Sequence, residues 1–130
     1  MNSERMIGLG TDLVEITRVE ESITKFGDRF LERIFLPAEI AYAVAQSRPA
    51  AHLAARFAAK EATAKAFGTG IGESLPWLGL EVGRHASGEP FLQFHASATE
   101  LARTRGVTRT LVSLSHTQTL SCATVALLGS

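Results

Sequence analysis

Cysteine is almost absent from this sequence, since Cys122 is the only one among 130 residues. A single cysteine cannot form an internal disulfide, which excludes the disulfide-stabilised secreted domains and fits a reducing compartment. A net charge is also absent, because 13 Lys and Arg residues balance 13 Asp and Glu residues. The composition therefore favours neither a nucleic acid nor a membrane surface as partner, and any recognition of charge must be local.

Long apolar runs are missing as well. No segment reaches the roughly 20 apolar residues that a membrane-spanning helix needs, and the N-terminal MNSERMIGLG has no hydrophobic stretch of the signal-peptide kind. Hydrophobic residues make up 45% of the chain and charged residues 20%, as in ordinary globular proteins. We therefore expect one cytoplasmic domain that spans residues 1–130.

The order of apolar patterns predicts one strand, then helices, then mostly strands. Residues 6–16 alternate as a strand, and the capping-box form TRVE, beginning at Thr17, predicts a helix start. Gly27 leaves open whether one helix or two follow. Pro37 begins a further helix. The remaining predictions are a long alanine-rich helix at 50–67, strands at 78–84, 91–94, 108–116 and 121–128, and a short helix after the capping box at 97–100. This segregated order indicates an α+β fold with an antiparallel sheet packed on the long helix.

The long helix carries four charges within the alanine-rich segment RFAAKEATAKAFGTG. Arg56 and Lys60 lie one turn apart near one edge, and Glu61 and Lys65 lie one turn apart near the other. This spacing also fits ordinary side-chain pairs, each worth about 0.2–0.5 kcal/mol. Both broad faces are apolar or small, however, which indicates burial on more than one side, and buried charges need partners. A ligand with phosphate groups would provide a partner for the cations, and a metal ion would provide one for Glu61.

The first strand, GLGTDLVEI, offers a second carboxylate. Asp12 lies on the same strand face as Gly8 and Gly10, which leave room beside it for another backbone or a ligand. A dinucleotide-binding loop is excluded, because Leu13 stands where G-x-G-x-x-G requires its third glycine. A pair formed by Asp12 and Glu61 would suit Mg²⁺, which takes one or two carboxylates plus waters and substrate phosphates.

Zinc is not expected, because the chain has one cysteine and its histidines lie in four separate segments. These histidines are His52, His85, His95 and His116. His116 ends a strand in the segment SLSHT. A histidine in that place is more often structural, although among hydroxyl groups it is also suited to hydrogen-bond a phosphate oxygen.

Three segments in this order and spacing, GLGTDLVEI, RFAAKEATAKAFGTG and VSLSHT, resemble the holo-acyl-carrier-protein synthases, which are small bacterial 4′-phosphopantetheinyl transferases. The resemblance covers essentially the whole chain, including RFLERIF and GEP. It implies the fold of that family and the transfer of 4′-phosphopantetheine from coenzyme A to a serine of apo-acyl carrier protein, with adenosine 3′,5′-bisphosphate as the other product. It also implies Mg²⁺ as cofactor, a place in fatty acid biosynthesis, and a homotrimer with active sites between subunits. Such a trimer would explain a helix buried on both faces.

The resemblance implies a role for each charged residue of the two carboxylate-bearing segments. Asp12 and Glu61 match the metal ligands, and Lys65 matches the lysine near the pyrophosphate, so that Glu61 and Lys65 are the expected catalytic residues. The positions that match the lining of the coenzyme A site are Arg56, Lys65, Gly68, Thr69, Gly70 and His116.

The general base stays open. Larger relatives have a second carboxylate at the position of Val14, and Glu15 is expected to point to the opposite face of the strand. The candidates are therefore Glu61 or a metal-bound water, with Glu39 as a candidate helper.

A row of basic residues provides a candidate docking surface. If one helix continues past Gly27, then Arg18, Lys25, Arg29 and Arg33 fall within a stripe of about 80°. An ordinary solvated helix face has the same appearance. Members of the family are described as docking acidic carrier proteins on basic residues of this helix, so the resemblance implies that these four bind the acyl carrier protein.

Two alternatives remain at this point. A nucleotide hydrolase with the same motifs would release product without any carrier protein. A non-enzymatic assembly module would use the alanine-rich helix only as an oligomer interface and would need neither Mg²⁺ nor Glu61.

Overall fold

The computed structural model describes residues 3–130, and its elements follow the chain in nearly the expected order. The strands are β1 (Arg5–Glu15), β2 (Leu80–Arg84), β3 (Pro90–Phe94), β4 (Val107–His116) and β5 (Leu120–Gly129). The helices are α1 (Ile16–Phe26), α2 (Asp28–Ile34), α3 (Pro37–Val44), α4 (Pro49–Phe67) and α5 (Ser97–Thr104). The predicted α+β class is confirmed. No helix in the described part of the chain is long and apolar enough to cross a bilayer.

An antiparallel sheet with the strand order β1-β5-β4 forms one layer, and α4 packs across it. The central strand β5 turns Ala123, Val125 and Leu127 toward the helix, and each of these side chains is 2% exposed or less. The hairpin of β2 and β3 forms a separate small sheet beside this core. The long helix α4 is therefore the element against which the other parts of the fold pack, and it positions the residues of the site.

Glycines in β1 allow the strand to approach α4 with almost no gap. A Cβ atom on Gly10 would lie less than 3.0 Å from the carbonyl oxygen of Ala62, and one on Gly8 would meet the carbonyl of Ala66 just as closely. Ala62 itself is completely buried. This contact carries the next inward-facing residue of β1, Asp12, to the edge of α4.

The burial of α4 on both sides is intramolecular. Strands β1 and β5 cover one side, and α1, α3 and β2 cover others. Even Arg56 and Lys60 are 1% and 0% exposed within the single chain. The interpretation that a neighbouring subunit buries this helix is therefore wrong. The uncovered apolar surface lies instead on the outer face of the sheet, where Leu9, Leu13 and Leu111 are between 49% and 63% exposed.

Both predicted capping boxes are wrong. Helix α1 starts at Ile16, directly after β1, and its first amide donates to the carbonyl of Thr119, so Thr17 already lies within the helix. At α5, the hydroxyl of Ser97 donates to the carbonyl of Glu73 rather than to its own helix. At α1 a distant carbonyl therefore satisfies an amide of the first turn, whereas at α5 the amides of Ala98 and Thr99 donate to the nearby carbonyls of His95 and Ala96.

Gly27 divides the region after β1 into two helices. Its backbone angles, φ 59° and ψ −136°, suit glycine and end α1, and α2 begins at the next residue. The prediction of one continuous helix, which the basic stripe required, is therefore wrong. Two of its residues, Arg18 and Lys25, lie on α1, and the other two, Arg29 and Arg33, lie on α2.

Candidate active site

The contact between β1 and α4 brings three of the predicted residues together. The Nζ atom of Lys65 donates to Oδ1 of Asp12 at 2.9 Å and to the carbonyl oxygen of Thr11 at 3.1 Å. Asp12 and Glu61 line one cavity of about 370 Å³, which we call the carboxylate cavity. Two acidic groups from segments about 50 residues apart thus line one small cavity, and a lysine is hydrogen-bonded to one of them.

The electrostatics of this cavity are unfavourable to two free carboxylates. Burial raises the pKa of Glu61, the negative charge of Asp12 raises it further, and Lys65 acts in the opposite direction. The pKa of Lys65 is raised in turn, chiefly by its hydrogen bond to Asp12. A cavity in which one carboxylate resists ionisation beside another is a cavity that favours a bound cation.

The donor set of the carboxylate cavity fits Mg²⁺. Within residues 3–130 no cluster of three or more His, Cys, Asp or Glu side chains is arranged to hold a metal. A zinc site would need such a cluster, whereas Mg²⁺ is held by one or two carboxylates and completes its shell with water and substrate phosphates. Asp12 and Glu61 can therefore hold Mg²⁺ only together with a phosphate-bearing ligand or water.

The remainder of the carboxylate cavity is an apolar floor with a polar rim. Val19, Phe30 and Phe57 form the floor, and Arg18 and Ser22 stand at the rim. Glu15 also lines this cavity, because β1 ends there and turns directly into α1. Leu13 and Val14, which lie on opposite faces of β1, line the same cavity, so the expectation that Glu15 points to the opposite face from Asp12 stays a prediction.

A second cavity, of about 520 Å³, lies beside α4 and is lined by two arginines; we call it the arginine cavity. The guanidinium groups of Arg56 and Arg84 stand over the ring of Tyr42, at 4.3 Å and 5.6 Å from its centroid. The Nε atoms of both arginines are buried and have no hydrogen-bond partner among the residues that the structure describes. Such buried donors suit an anionic ligand, because arginine presents its N–H groups in a fork that matches phosphate oxygens.

His116 joins this arginine cavity through a row of aromatic rings. The ring of His52 packs edge-to-face against Tyr42 at 5.7 Å and against His116 at 5.9 Å. Burial lowers the pKa of His52, and the positive charges of Arg56 and Arg84 lower it further. Histidines from separate segments therefore do meet in the fold, although they meet beside arginines rather than as zinc ligands.

The predicted loop Gly68-Thr69-Gly70 lies apart from both cavities. Gly68 ends α4 in the left-handed conformation, and all three residues are exposed. Arg105 donates to the carbonyl oxygen of Phe67 at 3.0 Å and holds the start of this loop. The structure thus fixes the loop's origin without bringing it to Asp12 or Arg56.

Glu39 is not available as a helper in catalysis. It is 1% exposed, and its carboxylate is engaged by Lys60 and by the backbone amides of Leu36 and Val82. A group held in this way cannot accept a proton from an incoming substrate. The sequence pattern could not show this, because two of the three partners, Lys60 and Val82, are distant from Glu39 in the chain.

Sequence reasoning missed Tyr42, His52 and Arg84. Each lies in a segment with no motif of its own, and only the packing of α3, α4 and β2 places them together. For Arg84, the only signal in the sequence is an arginine within an alternating strand. An arginine exposed to solvent gives the same alternation, so this signal does not identify a site residue.

The fold agrees with comparisons to known proteins. The model of the 4′-phosphopantetheinyl transferase superfamily matches residues 8–124. The match includes Asp12, Arg56, Glu61, Lys65 and His116. The chain therefore belongs to the 4′-phosphopantetheinyl transferase superfamily.

Individual relatives narrow this assignment. The curated holo-acyl-carrier-protein synthase of Koribacter versatilis is 45% identical over 94% of this chain and 98% of its own length. The crystal structure of the Neisseria meningitidis synthase superposes with a TM-score of 0.88 at 33% identity, covering 95% of this chain and 98% of that one. A Bacillus anthracis synthase solved with CoA (3′,5′-ADP) gives a TM-score of 0.79 at 34% identity, covering 96% and 98%.

The chain is thus an enzyme, a phosphopantetheinyl transferase of the holo-acyl-carrier-protein synthase family. The non-enzymatic module and the nucleotide hydrolase are both excluded. The predicted family, fold and enzyme class are confirmed.

Proposed function

We propose that this enzyme moves 4′-phosphopantetheine from coenzyme A to a serine of apo-acyl carrier protein in a Mg²⁺-dependent reaction that serves fatty acid biosynthesis. The observation that carries the proposal is the shared cavity of Asp12 and Glu61, with Lys65 bonded to Asp12. The coenzyme A bound to the Bacillus anthracis relative supports the choice of donor substrate.

Asp12 and Glu61 would hold Mg²⁺, which when bound supplies positive charge to the pyrophosphate of coenzyme A. In the reaction, the serine oxygen forms a bond to the phosphopantetheinyl phosphorus, and the pyrophosphate P–O bond breaks to release adenosine 3′,5′-bisphosphate. Lys65 lies half-exposed beside Asp12 and would neutralise the charge that develops on the leaving phosphate. Glu61 would also accept the serine proton, because it lines the cavity in which the serine would meet the phosphate.

The arginine cavity would bind the phosphates of coenzyme A. Arg56 and Arg84 offer buried Nε–H groups without a partner within residues 3–130, and His116 stands at the end of the same row of rings. The loop Gly68-Thr69-Gly70 would offer backbone amides to the nucleotide. Charged groups kept away from water bind phosphate more strongly than exposed ones do.

A homotrimer would unite the two cavities. Arg56 and Glu61 are five residues apart on α4, so they face different sides of the helix. The leucines on the outer face of the sheet provide an apolar surface for a neighbouring chain. We propose that association through this face sets the arginine cavity of one subunit against the carboxylate cavity of the next.

The rim of the carboxylate cavity would dock the carrier protein. Arg18 stands at this rim, and Lys25 lies seven residues further along the same face of α1. Arg29 and Arg33 lie one turn apart on α2 and would extend the basic surface beyond the break at Gly27. A basic surface beside the metal ligands would draw an acidic carrier toward the reacting phosphate.

The intact mass of an apo-acyl carrier protein tests this function directly. Incubation with the enzyme, coenzyme A and Mg²⁺ is expected to add one phosphopantetheine to the carrier, because the site holds both metal ligands and a base. EDTA is expected to prevent the addition. An unchanged carrier mass with folded enzyme, across several carriers, would contradict the proposal.

Charge reversal by Arg18→Glu tests the docking surface. The KM for the carrier protein is expected to rise by roughly tenfold or more, because attraction at the rim becomes repulsion. The KM for coenzyme A is expected to stay nearly constant, and the difference between variant and wild type is expected to shrink at high salt. Arg5→Glu is the matched control, since Arg5 is exposed at the opposite end of β1. An equal rise in both variants would contradict a docking role for Arg18.

A further inference from the structure

Glu39 and Lys60 form a buried ion pair in which every polar atom has a partner. Oε1 of Glu39 accepts from Nζ of Lys60 and from the amide of Leu36, both at 2.8 Å. Lys60 also donates to the carbonyl oxygens of Ile34 at 2.6 Å and Trp77 at 3.1 Å. The two side chains are 1% and 0% exposed. A pair this well satisfied has one geometry only.

The second oxygen of Glu39 holds the edge of β2. Oε2 accepts from the amide of Val82 at 2.9 Å. Strand β2 pairs only with β3 in the described sheet, so its other edge has no strand beside it. The carboxylate therefore takes the place of a neighbouring strand at Val82 and fixes how far β2 lies from α3 and α4.

Both arginines of the arginine cavity are attached to this pair by short stretches of regular backbone. Arg56 precedes Lys60 by one turn of α4, and Arg84 follows Val82 on the same face of β2. Tyr42, over whose ring both guanidinium groups stand, follows Glu39 by about one turn of α3. Glu39 is the point at which these three elements meet.

Stability alone does not account for the pair. Replacing a buried ion pair by apolar residues of similar volume is often neutral or stabilising, because the cost of removing both charges from water offsets their attraction. What an apolar replacement would lose is the fixed direction of the bonds to Lys60 and Val82. The arrangement is therefore better suited to setting a distance than to adding stability.

We propose that Glu39 is a positioning residue for phosphate binding, which acts through Lys60 and the amide of Val82 to set the spacing between Arg56 and Arg84. The inference rests on the proposed function, in which the arginine cavity binds the phosphates of coenzyme A. It assigns to Glu39 a role in substrate affinity without contact with the substrate.

The test is titration calorimetry with adenosine 3′,5′-bisphosphate. In Glu39→Gln, one amide oxygen cannot accept from Lys60 and Val82 together, and the amide NH₂ would face a donor. The Kd for the nucleotide is expected to rise roughly ten- to hundredfold. A purely structural role would lower the melting temperature and the fraction of molecules that bind, but would leave the Kd of the folded molecules unchanged.

Two further variants keep the result interpretable. The double variant Glu39→Gln/Lys60→Met removes both charges at nearly constant volume and is expected to fold. Its Kd for the nucleotide is expected to stay above that of the wild type, because α4 is no longer bonded to β2 through the pair. Val125→Ala destabilises the core between the sheet and α4, away from Glu39, and is expected to keep the wild-type Kd. A wild-type Kd in folded Glu39 variants would overturn the positioning role alone. Failure of the unaltered enzyme to bind the nucleotide would overturn both this role and the proposed function.

Discussion

Glu61→Gln is expected to slow phosphopantetheine transfer by orders of magnitude while the protein stays folded. Glutamine keeps the size of the side chain but offers the metal one neutral oxygen and cannot accept the serine proton. The turnover number is expected to fall by roughly 10²- to 10³-fold, as when one preorganised electrostatic partner of a transition state is removed. Intact-mass kinetics on apo-acyl carrier protein provide the measurement.

The same variant is expected to be more stable than the wild type near neutral pH in the absence of metal. Because the pKa of Glu61 is raised in the folded protein, its contribution to stability is present below the ordinary glutamate pKa of 4.5 and is lost as the pH rises through the raised value. Glutamine does not ionise and avoids this loss. Thermal melting at pH 4 and pH 7 measures the difference.

Glu73→Gln, at an exposed position outside both cavities, is the matched control and is expected to change neither activity nor melting. Transfer at the wild-type rate by Glu61→Gln would remove Glu61 from the metal site and from the role of base.

Gly10→Ala is expected to destabilise the protein severely, by about 3 kcal/mol or more, or to prevent folding. The added Cβ would lie less than 3.0 Å from the carbonyl oxygen of Ala62 and 2.8 Å from the amide nitrogen of Ala66. Both atoms belong to the helix backbone, so no side-chain rotation can relieve the overlap, and α4 must move from the sheet. Urea unfolding followed by circular dichroism measures the loss.

Gly72→Ala is the control for this prediction. A Cβ at Gly72 meets nothing within 4 Å, and its φ angle is not positive, so its unfolding midpoint is expected to match the wild type closely. Equal midpoints for the two alanine variants would show that the strand and the helix are not in the contact described.

The sequence predicted the elements well because most of them are set by apolar periodicity. It failed at the ends of α1 and α5, where a capping-box pattern was present but the partners of Ile16 and Ser97 came from Thr119 and Glu73. A local pattern shows that a side chain is able to cap a helix, but it cannot show that a distant carbonyl accepts the amide of Ile16 or the hydroxyl of Ser97 instead.

The candidate site divides in the same way. Asp12, Glu61 and Lys65 were predicted because each lies in a recognisable segment, and the glycines beside Asp12 indicated a close approach. Arg84 and Glu39 were not predicted correctly, since their roles depend on where β2 lies relative to α3 and α4. The position of β2 depends on how the whole core packs, so it cannot be predicted from the residues of β2 alone.

The glycine at position 27 has a consequence for partner choice. On one straight helix, the cations from Arg18 to Arg33 would form a line of about 22 Å at 1.5 Å per residue, and any partner with a straight row of carboxylates would match it. With the line broken at Gly27, the two pairs of cations point along different axes. Under the proposed docking, the protein would then discriminate among acidic partners by the curvature of their surfaces as well as by their charge, and a partner of equal charge but wrong contour would engage only half of the cations.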